Sequence, residues 1–460
     1  MLPGEPGCGA AGYACKCQIF VPPLSPSPRG LASRIRSAQK QVAPSRASMI
    51  GVGRIGKMAK FRPAGTMTGK SGMVQSGGKH GIVTAGAPKN AVAFVTSATA
   101  LRKRGITFRQ VWNDAGSYDR KNPVSVLRYL LRKTLPRSNR GILFWTLFSR
   151  RLDFVVIMCA SSVYKTPRRL ALVHRIARLR GAQVILLFVN CGYNIGNLAE
   201  LVSARPGGPR RVALARRLVA RPDVVPAAIS PQACRDVEDH FGVRDVRNIG
   251  FAPGIAPADL TGELPEDPPM FINIGNYSHR KGQDLFLDVA FRCLERNPAL
   301  RFCWVGKHVP RPEDVPEIAR RGLAGNFIFT KTKSPPFDLI RRSSGLIFTS
   351  RSEAFGLVVS ESMAMQRTVF CFEGTGGSYQ VGDLGNVFAR FDTAAMADAV
   401  LAHAARPAAE RVDLAAQDRY RAHFSPEAFA ERFSALLATV SGQAGASEKN
   451  ALHHDGVKTG

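Results

Sequence analysis

The sequence predicts an α/β protein of two doubly wound halves, each a parallel sheet covered by helices on both faces. Three observations carry that expectation. Between residues 81 and 440, short apolar runs alternate with longer amphipathic stretches, and strands separated by helices of about 10–15 residues pair in parallel. A Pro/Gly/Asp-rich stretch at 253–269 divides the alternation into two sets. The length of 460 residues, at roughly 150 per domain, suggests two or three domains. The expected organisation is an N-terminal extension over 1–80, a first domain over 81–264, a second over 265–440 and a frayed polar tail over 441–460.

Each element has a local reason. Gly81-Ile-Val-Thr-Ala85 is a short β-branched run closed by the turn Gly86-Ala-Pro-Lys-Asn90, and a helix follows through Leu101 to Arg104. Ile106 to Trp112, Phe154 to Met158, Val184 to Val189 and Pro226 to Ile229 read as further strands because Val, Ile and Phe suit a buried pleated surface. Pro167 to Arg180 reads as a helix with a charged face. In the second half the strands are Met270–Ile274, Arg301–Val305, Asn326–Phe329, Gly345–Thr349 and Thr368–Cys371. Ser425-Pro426-Glu427 has the form of an N-cap with proline in the first turn. Phe429, Phe433, Leu436, Leu437 and Val440 would then line one face of a closing helix.

Composition excludes several classes. With 45% hydrophobic and 21% charged residues the chain is neither wholly disordered nor fibrous. Its strongest apolar runs, Gly141–Phe148 and Leu152–Ala160, are separated by Arg150 and Arg151 and are far shorter than the ~18 residues a membrane-spanning helix needs. Nine cysteines without a C-x-x-C pair read as reduced thiols of a cytoplasmic protein. The net charge of +30 is concentrated in one half. Residues 1–80 hold 12 Lys/Arg against one acid, 81–264 hold 29 against 11, and 265–440 hold 21 against 20. No acid occurs between Glu5 and Asp114, so the first eighty residues read as disordered, as an extension ahead of the true start, or as a transit-peptide-like segment. The basic half is expected to meet an anionic partner. Val124 to Arg137, with Arg128, Arg132 and Lys133 flanking apolar positions, is either a core-packing helix or a cationic helix lying on anionic lipid. Nucleic acid has only the charge in its favour, because no helix-turn-helix, zinc-finger spacing or stacking-aromatic motif accompanies it.

One segment concentrates the functional signal. In Gly345-Leu-Ile-Phe-Thr-Ser350-Arg-Ser-Glu353-Ala-Phe-Gly356-Leu-Val-Val-Ser-Glu361 a strand ends near Thr349, a loop carries Glu353, and a helix starts around Leu357. Ligands of open parallel sheets sit at the carboxyl ends of strands, where helix N-termini offer free amides to phosphates. Glu361, just over one turn into the helix, can accept hydrogen bonds from vicinal hydroxyls. The segment resembles the E-x7-E signature of family 4 retaining glycosyltransferases of the GT-B fold, with Glu353 and Glu361 as the two acids. The resemblance covers about 170 residues. It begins at Asn273-Ile-Gly275-Asn-Tyr-Ser-His-Arg280-Lys281-Gly282, similar to that family's donor-phosphate loop, and ends at Gly374-Thr-Gly376-Gly377 with Gly385-Asn-Val-Phe388.

The resemblance implies two Rossmann-like domains facing a central cleft, with the donor held by the second. Glu361 would bind the nucleotide ribose and Glu353 would lie near the donor sugar. Lys281 would neutralise the diphosphate, and the amides around Phe355, Gly356 and Leu357 would help hold the donor. No metal or other cofactor is expected, since a cation with aligned amides can stabilise the departing diphosphate. Three departures stand out. The family's Arg after the first Gly is Asn276, and Arg280 either supplies the missing cation or is solvated. The family's Gly after the helix is Gln366. Where many members carry a His after the strand at Val184–Val189, this chain has Asn190, and neither His174, read as helix surface, nor His279, in the phosphate loop, replaces it. The expected function is transfer of a sugar from a nucleotide-sugar donor to a glycan, lipid-linked or phosphorylated acceptor, with retention, in cell-envelope or polysaccharide synthesis by a cytoplasmic protein peripheral to the membrane. A sugar-nucleotide-binding protein without turnover is the second reading, and a nucleic-acid-binding protein the third.

Overall fold

A computed structural model describes residues 78–85, 92–112, 140–159, 162–189, 192–255, 260, 263–332 and 336–439. Most of the N-terminal extension, the polar tail, Val440, Asn190 and the Val124–Arg137 segment with Arg128, Arg132 and Lys133 lie outside the described residues. Twelve strands form two six-stranded sheets among the described residues. The first comprises β1 (Lys79–Ala85), β2 (Ile106–Trp112), β3 (Phe154–Cys159), β4 (Gln183–Phe188), β5 (Val224–Ala228) and β6 (Arg247–Asn248). The second comprises β7 (Met270–Ile274), β8 (Arg301–Val305), β9 (Phe327–Thr330), β10 (Gly345–Phe348), β11 (Thr368–Phe372) and β12 (Val387–Phe388). All pairings are parallel. The strands predicted from β-branched runs are present within one or two residues of their expected ends. Their continuous burial, five of five residues in β7 and in β11, follows from helices covering both faces.

The sheet orders determine where a ligand can bind. The first sheet runs β2-β1-β3-β4-β5-β6 and the second β12-β11-β10-β7-β8-β9. In the second, the chain leaves β7 in one direction through β8 and β9, then returns to the other side of β7 at β10. Crossovers on either side of that pair leave on opposite faces and open a crevice at the carboxyl ends of β7 and β10, the topological switch point. The loop after β7 carries Arg280 and Lys281, and the loop after β10 carries Glu353. Two segments 70 residues apart in sequence are thereby brought side by side.

The closing helix, residues 426–439, follows the predicted cap: the Ala428 N–H donates to Ser425 Oγ at 3.2 Å. Its apolar face, however, packs on the first sheet rather than the second. Phe429 and Phe433 are each 5.1 Å from the Phe94 ring, edge-on, and Phe433 is 5.5 Å from Phe154 of β3. Burying each of these rings contributes about 1.5–3 kcal/mol. The chain therefore crosses back after the second sheet is complete, and the two halves share this helix. Among the described residues no helix is long and apolar enough to cross a membrane.

Candidate functional site

The loop after β7 is held from below by Thr349. Its Oγ1 accepts from Asn273 Nδ2 at 3.0 Å and reaches the carbonyls of Lys281 and Gly282 at 3.2 and 2.9 Å. Gly282 sits at φ +71° between the short turn His279–Lys281 and helix Gln283–Arg296. A Cβ there would lie 2.0 Å from the Thr349 carbonyl oxygen, so only glycine permits this approach. The loop is also tied from the side: the Arg351 N–H donates to the Arg280 carbonyl at 2.9 Å, and Arg351 forms a bidentate pair with Asp284. Lys281 and Arg280 are thus placed by backbone contacts before any charge is considered.

Both cations meet Glu353. Lys281 Nζ donates to Glu353 Oε2, and Arg280 Nη1 lies 3.4 Å from the same oxygen while donating to the Ser352 carbonyl at 3.0 Å. The question left by Asn276 is therefore answered in part: Arg280 is turned into the loop beside Lys281. Glu353 is itself held, because its carbonyl accepts from the Gly376 N–H at 2.9 Å.

Gly356, at φ +82°, opens helix Leu357–Ala364. The carbonyls that flank this turn converge on one buried side chain, Gln380, which sequence reasoning missed. Its Nε2 donates to Phe355 O, and to Gly356 O and Gly376 O at 3.2 Å each, while its Oε1 accepts from Ser360 Oγ. In a trans peptide the N–H points opposite to the C=O. Gln380 therefore turns the N–H groups of Gly356 and Leu357 to the far side of the loop, adding the free amides of a helix N-terminus. The only signal for it in the sequence is its place four residues beyond Gly376, within the run already matched.

Glu361 lies on the first turns of the same helix with 8% of its surface exposed. No hydrogen-bond donor meets its carboxylate among the described residues, and burial pushes the carboxyl up to about 7. Burial of a carboxylate without a partner is costly, which is why the carboxyl keeps its proton to higher pH. Gln366, where the resembled family has Gly, takes φ +61°, the conformation glycine would favour, and its side chain donates to Gln417 at 3.1 Å. His174 corrects an expectation: it is buried, not on a helix surface, with Nε2 3.2 Å from Asp223 Oδ1. It sits in helix Pro167–Leu179 on the stripe of Leu170, Val173 and Ala177, which packs inward.

The two sheets meet at their carboxyl edges beside this loop. Ser230, just after β5, accepts from the Ala233 N–H at 3.1 Å, capping helix Pro231–Phe241, and donates to the Ala354 carbonyl at 2.5 Å. Phe251 and Phe355 are 6.0 Å apart, and Asn248 Nδ2 donates to Tyr379 Oη at 3.3 Å.

Comparison with known proteins agrees with this geometry. Residues 268–405 match the family described as glycosyl transferases group 1. The chain is 28% identical over 139 residues to an alpha-D-kanosaminyltransferase of Streptomyces kanamyceticus, covering 29% of this chain and 36% of the relative. It is 31% identical over 174 residues to a D-inositol 3-phosphate glycosyltransferase of Kribbella flavida, covering 32% and 41%. These matches span less than half the length of either relative. Over 79% of the chain the structure superimposes on the whole of a sucrose-phosphate synthase from Thermosynechococcus elongatus, with a TM-score of 0.54 at 17% identity. Two parallel six-stranded sheets meeting at their carboxyl edges, superimposable on that structure, make the fold GT-B, and the stretch that resembles glycosyl transferases group 1 is the half that carries Lys281, Glu353 and Glu361.

Proposed function

We propose that the chain is a retaining glycosyltransferase whose second domain binds a nucleotide-sugar donor at the β7/β10 switch point. The observation that carries the reading is one loop-helix segment that ties Glu353 to Lys281 and Arg280 and, through the Gly356 turn, leads into a helix holding Glu361, buried and without a donor among the described residues. A nucleotide sugar supplies what each lacks: ribose hydroxyls to donate to Glu361, and a diphosphate to accept from the two cations and from the Gly356 and Leu357 amides. As the bond from the anomeric carbon to the diphosphate breaks, negative charge grows on the leaving group, and on this reading these donors stabilise it there. Glu353, once its cations turn to phosphate, is free to accept from hydroxyls of the donor sugar. The charge can be met by side chains and amides without a metal, so activity is expected to survive EDTA.

The first domain, on this reading, presents the acceptor hydroxyl, in cell-envelope or polysaccharide synthesis at a membrane surface. The two curated relatives are named as transferases of sugars, which supports the class of reaction. A thermal-shift screen of UDP-, GDP- and ADP-sugars tests the proposal, since a ligand that binds only the folded state raises its melting temperature. Selective stabilisation by one nucleotide series, abolished by Glu361→Gln, is the expected result. No stabilisation by any of the three would overturn it.

A further inference from the structure

Helices Pro167–Leu179 and Gly208–Val219 pack side by side on the first sheet, and the furrow between them holds a carboxylate at one end and none at the other. At the lower end, Asp223 lies 3.4 Å from Arg178, 2.9 Å from Arg221 and 3.2 Å from His174. Two of the arginines there share one carboxylate. The upper end widens into a groove of about 750 Å³ lined by Arg168, Arg169, Arg210, Arg211 and Arg217, with no acidic residue in its wall. Arg168, Arg210, Arg211 and Arg217 form no ion pair among the described residues. Four guanidiniums without a carboxylate partner around one groove repel one another unless an anion is present, whereas at the lower end Arg178 and Arg221 share Asp223.

Two further features point the same way. Both helices, 13 and 12 residues long, begin at the groove, so the positive ends of both macrodipoles add to the field of the arginines. Pro167, Ala213 and Leu214 line the groove with apolar surface, which a bare inorganic ion does not need. The volume falls in the range of small-molecule sites, about 300–1,000 Å³. Planar guanidiniums bind phosphate oxygens in pairs.

We propose that this groove is a binding site for an organic phosphate ester, separate from the donor loop. Thr166 and Pro167 follow the carboxyl end of β3, on the edge of the sheet that also bears Ser230. An anion held there would be held by the half assigned to the acceptor; that role rests on the function proposed above, but the binding does not. The phosphate could be that of a soluble phosphorylated compound or of a lipid headgroup, and the shared chemistry is the same.

The test titrates the full-length chain with inorganic pyrophosphate by calorimetry. Arg168→Gln/Arg210→Gln/Arg211→Gln should weaken one saturable site by at least about tenfold, as loss of charge-assisted hydrogen bonds predicts. Arg102→Gln/Lys103→Gln/Arg150→Gln removes the same charge from exposed positions outside the groove and should leave that site within about twofold, since screening limits distant surface charge. Lys281→Ala should also leave it intact, which separates this site from the donor loop even if the donor reading fails. Phosphatidylcholine vesicles containing phosphatidate that displace the bound pyrophosphate would identify a headgroup as the source; vesicles that fail to compete would identify a soluble ester. Equal weakening by both triple variants, or no saturable site lost in the groove variant, would overturn the proposal.

Discussion

Replacing Glu361 by glutamine should make the unliganded protein more stable while making it bind nucleotide less well. Burial raises this carboxyl from 4.5 to about 7. At ~1.4 kcal/mol per pH unit, holding it ionised in the folded chain costs at most about 3.5 kcal/mol. The sign follows from linkage. A folded-state value above the unfolded one means no penalty while both states are protonated, a penalty growing as pH rises from about 4.5 to 7, and a constant penalty above that. Glutamine is neutral throughout and escapes it, though its amide still lacks a partner, so about 3.5 kcal/mol is a ceiling. Thermal unfolding of Glu361→Gln and wild type should therefore diverge by several degrees at pH 8, at ~2–4 °C per kcal/mol for a domain of this size, and converge near pH 5. Titration of the free nucleotide should show the opposite order at pH 8. A hydrogen bond to a charged group contributes ~1.5–3 kcal/mol, and its loss should weaken binding at least tenfold. A variant no more stable than wild type at pH 8 would refute the buried-carboxylate account. Nucleotide affinity within twofold of wild type would refute the ribose role.

Three further outcomes are expected. Lys281→Ala should weaken a nucleoside diphosphate far more than the bare nucleoside, and equal effects on both would place the diphosphate elsewhere. Gln380→Leu should take the side-chain donor from the Phe355 carbonyl, while Gly356 O keeps the Val359 N–H, and lower stability by ~1–3 kcal/mol; because it also frees the Gly356 turn, diphosphate affinity should fall while nucleoside affinity holds, a split that simple destabilisation would not produce. Glu353→Gln should lower turnover and leave product nucleotide bound at least as tightly as in wild type; weaker product binding with turnover intact would mean the roles of the two glutamates are exchanged.

The fold was legible because its strands are buried on both faces and so appear as β-branched and aromatic runs needing no context, as in Met270–Ile274 and Arg301–Val305. The meeting of the two loops was legible to the extent that each follows a strand of one parallel sheet, which brings Lys281 to Glu353, while Glu361 lies buried on the helix beyond; their roles toward a donor belong to the proposed function. Gln380 was not, because it acts through backbone carbonyls 24 and 25 residues away, and a partner that is main chain leaves no residue type to read. His174 was misread for a different reason. Arg168, Arg169, Arg175 and Arg178 make its helix look solvated, yet Leu170, Val173, His174 and Ala177 recur at three- and four-residue spacing, the mark of an inward face. The return of the closing helix to the first sheet is a tertiary choice: its apolar stripe says that it packs, not on what.

The charge distribution then acquires a structural meaning that net charge alone could not give. The second half is nearly neutral, with 21 Lys/Arg against 20 acids over 265–440, and in the loop after β7 the two cations Lys281 and Arg280 are partly offset by the one carboxylate they share, Glu353. The first half carries part of its excess openly, in a groove where Arg168, Arg210, Arg211 and Arg217 meet no carboxylate among the described residues. On the proposed function the difference is functional. A nucleoside diphosphate leaves more negative than it arrived, so a site made only of cations would hold its own product. A carboxylate that competes for the same lysine weakens that hold, and it costs the donor complex less, because the donor sugar offers Glu353 hydroxyls that the product no longer has. The groove faces no such step if its phosphate is a handle rather than a leaving group: its charge is unchanged by the reaction, and uncompensated arginines can grip it throughout.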